Sequence, residues 1–341
     1  MTTPDHRVRL AGSEVTFGCA ADDTLLRAGQ RAGLGFPYEC NVGSCGTCRF
    51  ELVEGEVQML WAEAPGLSEN DRKRNRYLGC QSRPLGDCTI KLRLGARYAP
   101  PHRPQRFKAV LERTRALTHD MSEFRFALDK PRSFEPGQYA LAYLPGVTGA
   151  RAYSMSNTPD DASAWEFVVR RTPGGVGSAA LFDDLPAGQD IVIDGPYGMA
   201  WLRRDAPRDI LCLAGGSGLA PMLSIARGAM AEPKLAGRKL HFLYGGRTPA
   251  DVCGQDLLAE LPGWGERLSY VPAISPLPGG SAEGWSGPVG YLHEVALERF
   301  GAQLPEFEIY FAGPPAMALA VQRMLVDAKV PSDQVHFDQF Y

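Results

Sequence analysis

Three cysteines fall within the stretch YECNVGSCGTCRF, at Cys40, Cys45 and Cys48, and a fourth, Cys80, follows in YLGCQSRP. No other feature restricts the fold so strongly. The spacing C-x4-C-x2-C with a distant fourth cysteine suits a [2Fe–2S] cluster, on whose two irons four thiolates must converge. The cluster sulfurs are anionic, so backbone N–H groups must come close to them. Gly43 and Gly46 lack a Cβ and accept positive φ, which permits that approach. Structural zinc is the alternative, but it usually takes two short C-x2–4-C knuckles. Here one knuckle stands with an extra upstream cysteine and a single late partner. Cys19, Cys88, Cys212 and Cys253 are scattered; Cys212, in the apolar run DILCLAGG, reads as a small core residue.

The 341 residues are enough for two or three domains. A net charge of −3 argues against a nucleic-acid binder. The start, MTTPDHRVRLAGSEV, shows no apolar secretory segment, and no run of about 18 apolar residues could span a bilayer. A cytoplasmic location is expected, without membrane association. In such a chain cysteines point to metal or redox chemistry before disulfides.

The flanks of the cysteine loop suit a small α+β domain. RVRLAGSEVTFGC alternates in polarity as a β-hairpin does, and DDTLLRAGQRAGL reads as a helix capped by its acidic start. CRFELVEGEVQML reads as two strands joined at Glu54-Gly55, and CTIKLRL as a closing strand. Residues 1–94 thus resemble a plant-type ferredoxin with a β-grasp fold. GARYAPPHRPQR, with Pro100, Pro101 and Pro104, reads as an extended linker over 95–105.

From residue 106 to 203 the pattern is of short strands: FKAVLERTRAL, MSEFRFALD, QYALAYL, WEFVVRRT and DIVIDGPYG. A six-stranded antiparallel β-barrel is expected. Within it, RAYSMSN (Arg151 to Asn157) resembles the R-x-Y-S flavin motif of the ferredoxin–NADP reductase superfamily. VVRRTPGGVGSAALF (Val168 to Phe182) resembles its partner motif, and FEPGQYA and DGPYG look like further family elements. The resemblance implies an FAD site formed by Arg151, Tyr153, Ser154, Asn157, Val168, Val169, Gly175, Val176, Gly177 and Ser178. Arg151 can pair with a phosphate, and Tyr153 offers a ring to the flavin. The Ser154 hydroxyl can bond the flavin edge that accepts hydride. A helix beginning near Ser178 would aim free N–H groups at the pyrophosphate.

Residues 204–341 alternate strand and helix patterns, which implies a parallel α/β sheet. RDILCLAGGSGLAPMLSIARGAM reads as a buried strand, a glycine-rich turn and a helix, the layout that holds a dinucleotide pyrophosphate. Together with the later GPP it resembles the pyridine-nucleotide domain of the same superfamily. That resemblance implies a site from Gly215, Gly216, Ser217, Gly218, Pro221, Gly245, Arg247, Gly313, Pro314 and Pro315. Many relatives carry cysteine before the GPP turn; here it is Ala312, which puts the geometry of hydride transfer in question. The terminal HFDQFY supplies Phe340, with Tyr341 second, as the aromatic that covers the flavin in relatives. Tyr153, Ser154 and Phe340 are the residues expected at the hydride-transfer centre. Arg247 could pair with a 2′-phosphate, but it stands alone and Asp251 would repel one, so NADH is expected over NADPH.

NADH delivers two electrons as a hydride, a [2Fe–2S] cluster accepts one at a time, and a flavin can do both. The order ferredoxin, FAD domain, NAD domain resembles reductase components of bacterial multicomponent oxygenases, most of all those of the toluene/phenol diiron monooxygenase type. It implies a transient partner, either an oxygenase hydroxylase or an intermediary ferredoxin. The basic run RKRNR, Arg72 to Arg76, offers a face for an acidic partner. Delivery to a Rieske ferredoxin or Rieske dioxygenase is the alternative. A redox sensor is a reading of another class, but a sensor needs no hydride donor.

Overall fold

The computed structural model describes residues 5–160, 163–275 and 282–340. It divides into two compact units, one of residues 1–106 with 194–197, the other of residues 107–193 with 198–341.

In the first unit the elements run β1 (Asp5–Leu10), β2 (Thr16–Ala20), α1 (Leu25–Arg31), β3 (Arg49–Glu54), β4 (Val57–Met59), α2 (Glu69–Lys73), β5 (Arg76–Leu78), β6 (Ser82–Pro84) and β7 (Cys88–Lys91). The expected hairpin forms between β1 and β2, and alternation buries Val8 and Leu10. The sheet order is β2-β1-β7-β3-β5, so the strand expected to close the domain lies at its centre. It runs parallel to β1 and antiparallel to β3. β3 and β4 do not pair with each other: Gly55, at φ 87°, sits so close to the backbone of Asp87 that a Cβ would meet its carbonyl at 2.6 Å. β4 pairs with β6 in a separate two-stranded sheet.

Helix α1 starts differently from expectation. Thr24 is its N-cap and makes no side-chain cap bond. Asp23 instead accepts from the Thr24 N–H at 2.8 Å and pairs with Arg31 at 2.9 Å and Arg106 at 3.3 Å. The segment expected as an extended linker is held against this unit. Gly95 donates to the Gly35 carbonyl at 2.9 Å, and buried Gln30 donates from Nε2 to the carbonyls of Phe36 and Tyr98 at 3.1 and 3.2 Å.

Asp71 organises the approach to Cys80. It closes a capping box with Ser68 at the start of α2 and pairs with Arg49 at 3.0 Å and Arg76 at 3.3 Å. The Ser68 hydroxyl, then the two guanidinium groups, hold its carboxyl well below the usual carboxylate range. A carboxyl depressed on folding stabilises the fold above its unfolded pKa of about 3.9, and that contribution fades as pH falls further. Both arginines are partly exposed and their pairing is screened by solvent, so the cap dominates and Asp71→Ala is expected to cost about 1–2 kcal/mol near pH 7. Urea-denaturation midpoints would show the gap between variant and parent narrowing below about pH 4; a gap independent of pH would contradict this account.

The chain continues with β8 (Gln105–Ala116), β9 (Met121–Leu128), β10 (Tyr139–Tyr143), β11 (Arg151–Ser154), β12 (Ala164–Arg170), the short helix α3 (Val176–Ala179) and β13 (Asp190–Tyr197), which lie mostly in the second unit. These strands form a six-stranded sheet in the order β11-β10-β13-β8-β9-β12. A bridge between Met155 and Phe167 brings its two edges together, so the barrel is nearly closed. Trp165, fully buried, sits edge-on to Phe107 and Phe134 at 5.1 and 5.7 Å inside it.

The remaining elements are β14 (Asp209–Gly215), α4 (Leu219–Ala231), β15 (Leu240–Gly246), α5 (Gln255–Ala259), β16 (Leu268–Ile274), α6 (Leu292–Phe300), β17 (Phe307–Gly313), α7 (Pro315–Asp327) and β18 (Val335–Gln339). Their strands form a parallel sheet in the order β16-β15-β14-β17-β18. Along β14, Ile210, Cys212 and Ala214 pack into the core with α4, while Leu211 and Leu213 pack with α6 and α7. Helices therefore cover both faces, as a parallel sheet requires.

Candidate functional site

The four cysteines of the first unit come together in two pairs. Cys48 and Cys80 bring their Sγ atoms to 3.4 Å, and the Cys40 thiol hydrogen-bonds that of Cys45. A disulfide needs about 2.05 Å. Two thiolates on one tetrahedral metal, each about 2.3 Å from it, lie roughly 3.8 Å apart. Backbone amides serve the sulfurs: Cys45 N–H points at Cys40 Sγ at 3.3 Å and Thr47 N–H at Cys45 Sγ at 3.5 Å. The hydrogen bond from Cys40, then the Thr47 donors, draw the Cys45 thiol below its ordinary value. Gly43 and Gly46 take φ of 97° and 77°. A Cβ on Gly46 would stand 2.6 Å from the Gly66 carbonyl, so the loop is too close-packed there for any side chain. Paired thiols, anion-directed amides and close-packed glycines fit a two-iron cluster. The other four cysteines are free and outside this group, with Cys212 fully buried.

In the barrel, Arg151, Tyr153 and Ser154 lie on β11, an element the sequence showed only as a motif. Arg151 donates to the carbonyls of Thr148 and Ala150, and among the described residues no carboxylate pairs with it. Its side chain lies on Gly177, where a Cβ would meet Arg151 Cγ at 2.9 Å. The guanidinium and the turn at α3 thus form a cradle suited to a phosphate. Burial pushes the Tyr153 phenol up to about 12, so it stays neutral. The buried Ser156 hydroxyl, which the motif did not single out, has no partner among the described residues. These features fit a flavin nucleotide.

Other expected FAD residues are engaged in holding the fold. Asn157 donates to the Ala164 carbonyl and accepts from the Glu166 N–H, so its amide clamps β12. Val168 and Val169 point into two different hydrophobic cores. The Ser178 hydroxyl bonds Thr172 and Gly175 and closes the loop containing Gly175 and Val176.

The glycine turn after β14 is shaped by contact. Gly216 takes φ 56°, and a Cβ on Gly218 would lie 2.0 Å from the Ala312 carbonyl. Gly215 and Gly313 both abut Met317 Sδ, at 2.5 and 2.9 Å from the positions their Cβ atoms would occupy. No side chain caps α4, whose first turn carries Pro221, and the Leu219 N–H is taken by the Gly216 and Ser217 carbonyls of the turn itself. Pro314 and Pro315 open α7 at the same end of the sheet, and Gly245 ends the neighbouring strand region. Phe340 packs against the core shared by β14 and α4; Tyr341 lies outside the described residues.

Two residues here were not legible in the motifs. The Tyr244 hydroxyl donates to the Gly216 carbonyl at 3.3 Å. Arg170, from β12, lies on Gly216 and pairs with Asp120 at 2.6 Å and Asp251 at 3.5 Å. Asp251 also accepts from Thr248 N–H and Oγ1, both at 2.8 Å, so its charge is shared and repels a nearby phosphate less than expected. Arg247 is exposed.

These three sites define an electron-transferring oxidoreductase. A 2Fe-2S iron-sulfur cluster binding domain model matches residues 8–85, an oxidoreductase FAD-binding domain model residues 108–201 and an oxidoreductase NAD-binding domain model residues 212–323. The chain is 40% identical over 328 residues to a ferredoxin–NAD(P)(+) reductase, CarAd, of Metapseudomonas resinovorans, covering 95% of this chain and 96% of that one. It is 38% identical to the ferredoxin–NAD(+) reductase component of the alkene monooxygenase system of Xanthobacter autotrophicus, covering 95% and 98%. The solved ferredoxin reductase of carbazole 1,9a-dioxygenase superposes with a TM-score of 0.91 at 36% identity over 99% of both chains. The chain belongs to the ferredoxin–NAD(P)+ reductase family that includes the reductase components of bacterial oxygenases. Its function is electron transfer from a pyridine nucleotide, with FAD and a [2Fe–2S] cluster as cofactors.

Proposed function

We propose that the protein oxidises NADH and delivers single electrons, through a cluster held by Cys40, Cys45, Cys48 and Cys80, to the hydroxylase of a diiron monooxygenase. The observation that carries this is the pairing of Cys48 with Cys80 and of Cys40 with Cys45 in one chain with an FAD barrel and an NAD sheet. Bound flavin supplies the conversion of a two-electron hydride into single electrons. The chain's own residues bind and orient: Arg151 holds a phosphate, Ser154 offers a hydrogen bond at the reacting edge, and Phe340 keeps water away. The turn of Gly215 to Gly218 positions the nicotinamide nucleotide. Arg247 as a lone exposed base supports NADH over NADPH, and that supply supports a cytoplasmic location. No helix among the described residues is long and apolar enough to cross a membrane. Similarity to the carbazole 1,9a-dioxygenase reductase favours a second reading, in which the acceptor is a Rieske ferredoxin or dioxygenase.

Anaerobic titration with NADH, followed by visible absorption, tests the proposal. Limiting NADH should bleach both flavin and cluster bands with about three electrons taken up per chain. Stronger reduction by NADPH would make Arg247 a 2′-phosphate reader and overturn the nucleotide assignment. Flavin bleaching without cluster bleaching would break the proposed path.

A second basic face lies beside the cysteine loop, and it supports docking there rather than on Arg72 to Arg76 alone. Arg49, Arg76, Lys91 and Arg93 line an open groove with Gly46 and Thr47 of the cysteine loop, against a single lining acid, Glu51. Asp71 neutralises part of Arg49 and Arg76, whereas Lys91 and Arg93 pair with no carboxylate among the described residues. The partner that fits is acidic. Lys91→Glu with Arg93→Glu should slow electron delivery to the purified partner about tenfold at low salt and flatten its salt dependence. Reduction of ferricyanide should be unaffected. Unchanged partner kinetics would place docking on another face.

A further inference from the structure

Two residues beside the cysteine loop are spent in a way that packing does not explain. Arg27, on α1, is 7% exposed, although its position in the sequence gives no apolar reason for burial. Its Nε donates to Asn41 Oδ1 at 3.3 Å, and its Nη2 to the Asn41 carbonyl at 3.4 Å. Asn41 follows Cys40 directly and takes φ 55°, the left-handed region that asparagine tolerates better than most residues. It is 1% exposed, and its Nδ2 is buried with no hydrogen-bond partner among the described residues. A buried amide donor left unpaired costs stability unless a ligand accepts from it. A buried guanidinium and an unpaired buried amide donor therefore stand at the residue that directly follows the first cysteine of the group.

We infer that Arg27 and Asn41 set the reduction potential of the [2Fe–2S] cluster, Arg27 by its buried charge and by holding the Asn41 amide, whose Nδ2 is left as a donor to a cluster sulfur. This rests on the assignment of the four cysteines as ligands. Reduction adds one electron, and so one negative charge, to a group that is already anionic. A cation held in a poorly screened interior favours the more negative form, as does a hydrogen bond to its sulfurs. Both residues thereby raise the potential and draw electrons from the flavin toward the cluster. Arg27 and Asn41 are positioning and tuning residues; neither ligates iron.

The test is a potentiometric titration of the intact, cofactor-loaded protein, followed by the electron paramagnetic resonance signal of the reduced cluster. Arg27→Gln should lower the midpoint by about tenfold in the equilibrium, ~59 mV for a one-electron couple. Arg27→Lys keeps the charge and should recover most of that shift. Asn41→Gly permits the backbone angle, removes the donor and should shift the midpoint in the same direction by a smaller factor. A purely structural role would alter cluster content and leave these midpoints in place. If Arg27→Gln cannot hold the cluster, Asn41→Gly and Arg27→Lys decide, and an unchanged midpoint in Asn41→Gly overturns the inference. A midpoint in loaded Arg27→Gln within about twofold of the parent overturns it alone. Absence of the signal in the unsubstituted protein would overturn the ligand assignment along with it.

Discussion

Cys80→Ser is expected to remove the visible absorption of the iron–sulfur cluster and to lower electron delivery to the partner by about 100-fold or more. Outer-shell partners of a metal already cost ~10–100-fold when removed, and a ligand costs more. Cys80 is fully buried with its sulfur 3.4 Å from that of Cys48, so no water can take its place without opening the core. The flavin is bound by other residues, and NADH-driven reduction of ferricyanide should therefore stay within about twofold of the parent. Cys253→Ser is the control, since Cys253 lies outside the group and contacts Tyr244. Iron content and absorption spectra of the two variants decide the matter. An intact cluster in Cys80→Ser would require another ligand.

Gly218→Ala should have the largest effect in the nucleotide-binding region. Its new methyl would stand 2.0 Å from the carbonyl of Ala312. That carbonyl cannot retreat, because Ala312 is fully buried and β17 is paired on both sides, to Ala214 and to Asp338. The turn must move instead. Overpacking of this kind costs about 3 kcal/mol, and an ångström of displacement at a positioning element can cost ~100-fold in kcat/KM. The loss should appear with NADH, while FAD and iron content remain those of the parent. Gly237→Ala, where a Cβ meets nothing within 4 Å, should change stability by less than about 0.5 kcal/mol. Equal behaviour of the two alanine variants would mean that the turn yields freely.

The parts of this molecule that were legible in its sequence are those in which neighbours along the chain do the work. The cysteine spacing, the alternation in β1 and the buried run of β14 each state a local geometry, and the structure has it. What could not be read depends on distant partners. The acidic start of α1 resembles a cap, yet Asp23 is claimed by Arg31 and Arg106, which no local pattern announces. β4 leaves β3 because Gly55 packs on Asp87, 32 positions along the chain. Arg27 is buried against Asn41 of the cysteine loop, a contact that no local pattern announces. In the flavin region the motif falls on β11 but does not disclose the use of each side chain. Asn157 clamps β12, while Ser156, one residue earlier, keeps a buried hydroxyl unpaired.

The hold that Gln30 keeps on Tyr98 bears on where this protein can be cut. A fragment that stops at Leu94 would end at the last residue resembling a ferredoxin, but would strip away the carbonyl that receives one of the two bonds of the fully buried Gln30 amide. It would also remove Gly95, whose backbone closes on Gly35. A boundary drawn by motif therefore falls inside a set of contacts that the module needs. A self-standing iron–sulfur electron carrier taken from this chain should carry the following segment through Tyr98 at least, because that segment is part of its wall.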